Sequence, residues 1–113
     1  MAAHNKFYQE QLVSKTVTLP RLNRLNPSLE STALKIMEES GELAQAIGKL
    51  RGLSGERQRL EEEEAMQKVA QELVDVAQTA VTMMFVLEEQ YGIDLEVILQ
   101  EHLSKLRSKG YCD

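Results

Sequence analysis

From Glu61 to Tyr91 the chain contains neither glycine nor proline. A run of that length, rich in Leu, Glu, Gln, Ala and Met, has nothing to interrupt an α-helix, and the acidic stretch Glu61 to Glu64 favours its N-terminus. One long helix over 60–91 is therefore expected, and everything else must pack around it. With 113 residues, 42% of them hydrophobic and only 4% aromatic, the sequence suits a single all-α domain over 1–113.

Two further helices flank the long one. Asn26-Pro27 is a start signal, Asn capping free backbone N–H groups and Pro occupying the first helical position. This predicts a helix running to about Leu50, where Gly52, Ser54 and Gly55 break it and Lys49 and Arg51 complement its dipole. After Gly92, Asp94 is placed to cap a third helix over 95–109, with Ile93 able to staple against Ile98 and Gly110 ending it. Residues 1–25 form a lead-in, with a short amphipathic helical candidate around Lys6 to Val13, interrupted by Thr16-Val17-Thr18 and Pro20. The expected architecture is a bundle of three main helices plus that short segment, completed by oligomerisation into a four-helix core.

The positions of the acids are more informative than their number. At about 100° per residue, Ile36, Leu43, Ile47 and Leu50 form an apolar stripe on the first helix, and Glu39 falls inside it. Glu42 lies at the stripe's edge and Glu38 further toward the polar face. On the long helix, Glu72 and Asp75 are the only charged residues between Lys68 and Glu88. Glu72 aligns with Ala65, Val76 and Met83 on the main apolar face, and Asp75 sits at its border. If the two helices pack side by side, Glu39, Glu42, Glu72 and Asp75 converge, with Glu39 and Glu72 as the inward pair.

Converging carboxylates repel in a partly desolvated site, so protons or cations must compensate them. Oxygen ligands without accompanying Cys or His favour Mg²⁺, with Mn²⁺ as a substitute, over zinc or copper. A di-iron bundle wants Glu-x-x-His, whereas positions 99 and 102 are Leu and His. The plainer expectation is that each acid pairs with Lys35, Lys49, Lys68 or an arginine at the bundle's edge. Two matched pairs, each with one member in an apolar stripe, favour a site.

The sequence Glu38-Glu39-Ser40-Gly41-Glu42, followed by Glu72-Leu73-Val74-Asp75, resembles the EExxE and ExxD signature of the MazG-like all-α nucleotide pyrophosphohydrolases. The resemblance covers residues 26–111, including the stretch from Leu34 to Lys49 and the C-terminal Lys105 to Tyr111. It implies Mg²⁺-dependent hydrolysis of a nucleoside triphosphate to a monophosphate and pyrophosphate. Glu39, Glu42, Glu72 and Asp75 would be metal ligands, and Glu38 an adjacent acid orienting water. The spacer between Glu42 and Glu72 is at the long end for the pattern, which puts the loop near Gly52 to Leu60 forward as a local elaboration. Such chemistry needs no protein nucleophile; a carboxylate, Glu39 or Glu42, would assist a metal-activated water.

Cations for the phosphates are sought on the third helix, where Lys105 and Lys109 stand one turn apart beside Leu95, Leu99 and Leu106. Arg107 is better explained by the helix dipole, and His102 and the Met83-Met84-Phe85 cluster by packing. The strip Val74, Val81 and Phe85 lies on a face of the long helix different from that of Glu72, so a homodimer or homotetramer is expected.

A net charge of −5 disfavours a nucleic-acid polymer as partner, and no membrane is expected. The residues after Met1 lead into no apolar h-region, and Cys112 is the single cysteine, so a cytoplasmic location is expected. Two other functions stay open: hydrolysis of a related pyrophosphate compound such as a phosphoribosyl nucleotide, and a non-catalytic helical module that binds nucleotide or metal to regulate a partner.

Overall fold

The computed structural model describes residues 13–52 and 59–113, the side chains of 59 and 60 excepted. They form helices α1 (Leu29–Leu50), α2 (Arg59–Tyr91) and α3 (Leu95–Ser108), with no strand among the described residues. The short N-terminal helix expected around Lys6 to Val13 lies, apart from Val13 itself, outside the described residues, as does most of the spacer loop after Gly52.

The start of α1 departs from expectation. Ser28, not Asn26, is the cap: its hydroxyl accepts from the Ser31 N–H at 3.0 Å, and the Ser31 hydroxyl accepts from the Ser28 N–H at 2.9 Å. This reciprocal pair satisfies two backbone donors at once. Pro27 then stands before the cap, where its carbonyl accepts from Gln90 Nε2 at 3.1 Å. Asp94 caps α3 as expected, its Oδ1 accepting from the Glu96 and Val97 N–H groups at 3.0 and 3.3 Å. The staple partners Ile93 and Ile98 are both exposed. Gly110, at φ +75°, closes α3: its N–H reaches the Arg107 carbonyl while the Tyr111 N–H reaches that of Leu106. Those two bonds need the left-handed conformation that glycine adopts without strain.

α1 packs along α2, whereas α3 makes only marginal contact with either. The interior between α1 and α2 is unusual in composition. Its buried apolar residues are Ala46 and Val86, while Thr32, Glu39, Glu72, Thr79 and Thr82 are buried polar ones. Ile36, Leu43 and Leu50 of the α1 stripe are half-buried, and Ile47 is exposed.

Ahead of α1, residues 19–27 form a strap tied to α2. The Pro20 carbonyl accepts from Gln78 Nε2 at 2.9 Å. The Arg21 guanidinium engages Glu89 with two parallel bonds of 2.8 and 3.0 Å. Among the described residues, no helix is long and apolar enough to cross a membrane.

Candidate functional site

Burial separates the candidate acids. Glu39 and Glu72 are buried at 7% and 6% relative exposure, while Glu38, Glu42 and Asp75 are exposed. Removing a carboxylate from water is costly unless something compensates it, so the partners of the two buried acids decide what the site is.

Glu39 Oε1 accepts a 2.7 Å hydrogen bond from Thr79 Oγ1, across the α1–α2 interface. The Asp75 carbonyl lies 3.2 Å from the same hydroxyl. Thr79 was not among the sequence candidates, yet a signal for it exists. It falls one turn after Asp75 and two turns after Glu72, a small hydroxyl on the acid-bearing face of an apolar run.

Glu72 Oε1 pairs with Lys68 Nζ at 2.9 Å, one turn earlier on α2. Its other oxygen, Oε2, is buried and has no hydrogen-bond partner. The Lys68 ammonium has its pKa raised, first by the hydrogen bond to Glu72, then by the charge of Glu72, with further contributions from Asp75 and Glu42. Lys35 lies 3.8 Å from Glu38 across an exposed pair. Pairing with nearby lysines therefore does occur at Glu38 and Glu72, but it leaves half of the buried Glu72 carboxylate unsatisfied.

Beside these acids is a cavity of about 420 Å³. Glu39, Asp75, Thr79 and Lys35 line it together with Leu22 and Leu25 of the strap. The volume falls within the usual range for small-molecule pockets.

The structure thus brings Glu39 and Asp75 to one cavity, and places Glu42, Glu72 and Asp75 within electrostatic reach of one ammonium. Among the described residues, no three acids, histidines or cysteines stand close enough to hold a metal ion together. Glu39 is drawn to Thr79 and Glu72 to Lys68, so the two inward carboxylates are engaged by different partners. The donor set is nonetheless all oxygen, and the orphaned Oε2 of Glu72 is an acceptor of the kind a hard divalent cation satisfies. Lys105 and Lys109 are not part of the cavity wall; both are exposed, Lys105 on α3 and Lys109 at its C-cap with its Nζ 6.0 Å from the Tyr111 ring centroid.

Residues 27–110 match the family model of the MazG nucleotide pyrophosphohydrolase domain. The chain belongs to that family. The MazG match begins at Pro27 and ends at Gly110, so it takes in all three helices and every candidate acid. Most of the strap, including Leu22, Leu25 and Asn26, precedes it. No significant match to a curated protein or to a solved structure accompanies it.

Proposed function

We propose that this chain is a Mg²⁺-dependent enzyme that hydrolyses a nucleoside triphosphate to a nucleoside monophosphate and pyrophosphate. The observation that carries the reading is the pair of buried carboxylates on facing helices, Glu39 and Glu72, one of which keeps an oxygen without a partner. Family membership supplies the reaction class. The cavity beside Glu39 and Asp75, mostly apolar on its strap side, supports a seat for the nucleoside.

Glu39, Glu42, Glu72 and Asp75 would hold the magnesium, with manganese as a substitute. When bound, the divalent cation neutralises phosphate charge and lowers the pKa of the attacking water. Glu39 or Glu42 accepts the proton of that water as the bond between the α and β phosphates opens, and Glu38 is an outer candidate for orienting it. Thr79 fixes the rotamer of Glu39 through its 2.7 Å hydrogen bond. Lys105 and Lys109 would serve the phosphates from a second copy of the chain, because α3 does not carry them to the cavity of its own chain.

A homodimer or homotetramer is part of this proposal. α3 has no buried residue, and Leu34, Met37, Leu73, Val74, Leu99 and Leu103 are all exposed, apolar positions that a second copy could cover. The free, exposed Cys112 supports a reducing, cytoplasmic setting.

The test is pyrophosphate release from a panel of nucleoside triphosphates and phosphoribosyl nucleotides with Mg²⁺. Release is expected from the native chain and is lost in Glu39→Gln and Glu72→Gln. A second reading, a non-catalytic module that binds nucleotide or metal, is favoured by the separate engagement of Glu39 and Glu72. Tight nucleotide binding with no release from any compound would establish that reading instead.

A further inference from the structure

The cavity beside Glu39 and Asp75 has a direction. α1 and α2 run antiparallel, since Thr79 bonds to Glu39 at one level of their contact and Gln90 bonds to the Pro27 carbonyl at another. Along α1 the cavity is lined by Glu39, then by Lys35 one turn back, then by Thr32 and Ser31 a further turn toward the strap. Glu39 and Thr32 are about 10 Å apart along the helix axis, with Lys35 between them. One end of the cavity is therefore acidic, and the other is built from hydroxyl and strap residues.

The hydroxyls at the strap end are already engaged by their own helix. Ser31 Oγ accepts from the Ser28 N–H and donates to the Ser28 carbonyl at 3.2 Å, and Thr32 Oγ1 donates to that carbonyl at 2.8 Å. They have little left to offer an anion. Among the described residues, Lys35 is the one basic side chain lining the cavity. It pairs with Glu38, outside the cavity lining, at 3.8 Å, and the two side chains are 55% and 61% exposed. An ion pair so long and so open to water is worth little. The ammonium can leave it for an anion in the cavity, where a charge-assisted bond to a phosphate oxygen is the stronger contact.

We propose that Lys35 is a substrate-binding residue whose ammonium contacts the α phosphate, the one that stays with the nucleoside. The proposal rests on the reading of the preceding section, which seats the nucleoside at the strap and the reacting phosphates at the acids. The phosphate between those two ends is the α phosphate, and Lys35 is the cation between them. This cation comes from the cavity's own chain, apart from Lys105 and Lys109. Because the α phosphate remains on the monophosphate, Lys35 holds product as well as substrate, and it fixes which end of the nucleotide faces the strap.

The test uses the full chain without divalent cations and titrates nucleoside 5′-monophosphates and the matching nucleosides. Lys35→Met should weaken monophosphate binding by at least about fivefold and leave nucleoside binding unchanged, as loss of one charge-assisted contact requires. Lys35→Arg, which keeps the charge, should stay within about twofold of the native chain. Added salt should weaken monophosphate binding by the native chain more than by Lys35→Met. Equal monophosphate affinity in the native chain and Lys35→Met, or an equal loss for monophosphates and nucleosides, overturns the contact. A native chain that releases pyrophosphate from triphosphates yet binds no monophosphate also overturns it, while the proposed activity stands. Absence of both binding and release contradicts that activity, and the contact with it.

Discussion

The α1–α2 interface and helix α3 solve opposite problems. The interface buries charge and hydroxyl groups that ordinary cores exclude, with Glu39, Glu72, Thr32, Thr79 and Thr82 inside and, among the described residues, Ala46 and Val86 as the buried apolar ones. Helix α3 is well capped at both ends yet has no buried residue: Leu95 and Leu106 are half-buried, and Leu99 and Leu103 face solvent. Between α2 and α3 lies an open, mainly apolar groove of about 200 Å³, lined by Val81, Met84, Phe85, Leu95 and Leu99 with Glu88 and Glu96. One region gives up apolar packing to position acids, and the other holds apolar surface for which one chain offers no cover. In the proposed assembly a second copy would add the apolar burial that so polar an interior does not supply.

The largest effect that would sharpen the contrast is at the acids. Glu72→Gln should reduce pyrophosphate release on the order of a hundredfold or more, with circular dichroism unchanged. A variant that retains turnover would place the chemistry elsewhere. Thr79→Val keeps the shape but removes the donor to Glu39, and should cost about tenfold in turnover, the lower end for a residue that orients a metal-binding or catalytic group. On the apolar side, Leu99→Asp should shift the sedimenting species toward monomer, and an unchanged sedimentation coefficient would remove α3 from the interface.

The sequence makes the helices and the inward direction of two acids legible, because both follow from helical periodicity and from glycine and proline placement. Gly92, Asp94 and Gly110 act where their chemistry requires, and Glu39 and Glu72 are buried where the apolar stripes put them. α1 is capped by Ser28, two residues beyond the Asn26 that the local signal predicts, because the Ser28–Ser31 reciprocal pair satisfies two backbone donors at once. Partner choice was less legible. That Thr79 takes Glu39 depends on the relative height of two packed helices, which no periodicity encodes, whereas the Lys68–Glu72 pair lies one turn apart within α2, where helical spacing allows it. The strap side of the cavity is also out of reach of the sequence, because it is fixed by long-range bonds that Gln78 and Gln90 donate and Glu89 accepts, to a segment without regular structure.

Smaller effects separate the two regions by stability. Ser28→Ala and Asp94→Ala remove comparable caps, each worth about 1 kcal/mol. The first should lower the unfolding free energy of the whole α1–α2 unit, whereas the second should speed hydrogen exchange within α3 alone when the chain is monomeric. Equal effects on both would show that α3 is packed as firmly as α1.

The smallest effect is a pH dependence at the strap. The hydrogen bond from Arg21 is the chief cause of a lowered Glu89 pKa, so the carboxylate stays charged below the ordinary glutamate range. The sign follows: the strap contact is fully present above the unfolded-state value and is lost as pH falls through the lowered folded value. Solvent screening keeps the stability change small for so exposed a pair. Acid should loosen nucleotide binding in the native chain through this contact, and Arg21→Ala should remove that part of the acid response.

The central claim is that buried carboxylates from two facing helices make one divalent-cation site, and Mn²⁺ binding followed by electron paramagnetic resonance tests it most directly. The native chain and the Glu30→Gln control, altered at an exposed residue of the first turn of α1, should bind Mn²⁺ alike. Glu39→Gln and Glu72→Gln should each weaken binding by about tenfold or more. Equal Mn²⁺ affinity in all four proteins would contradict the account.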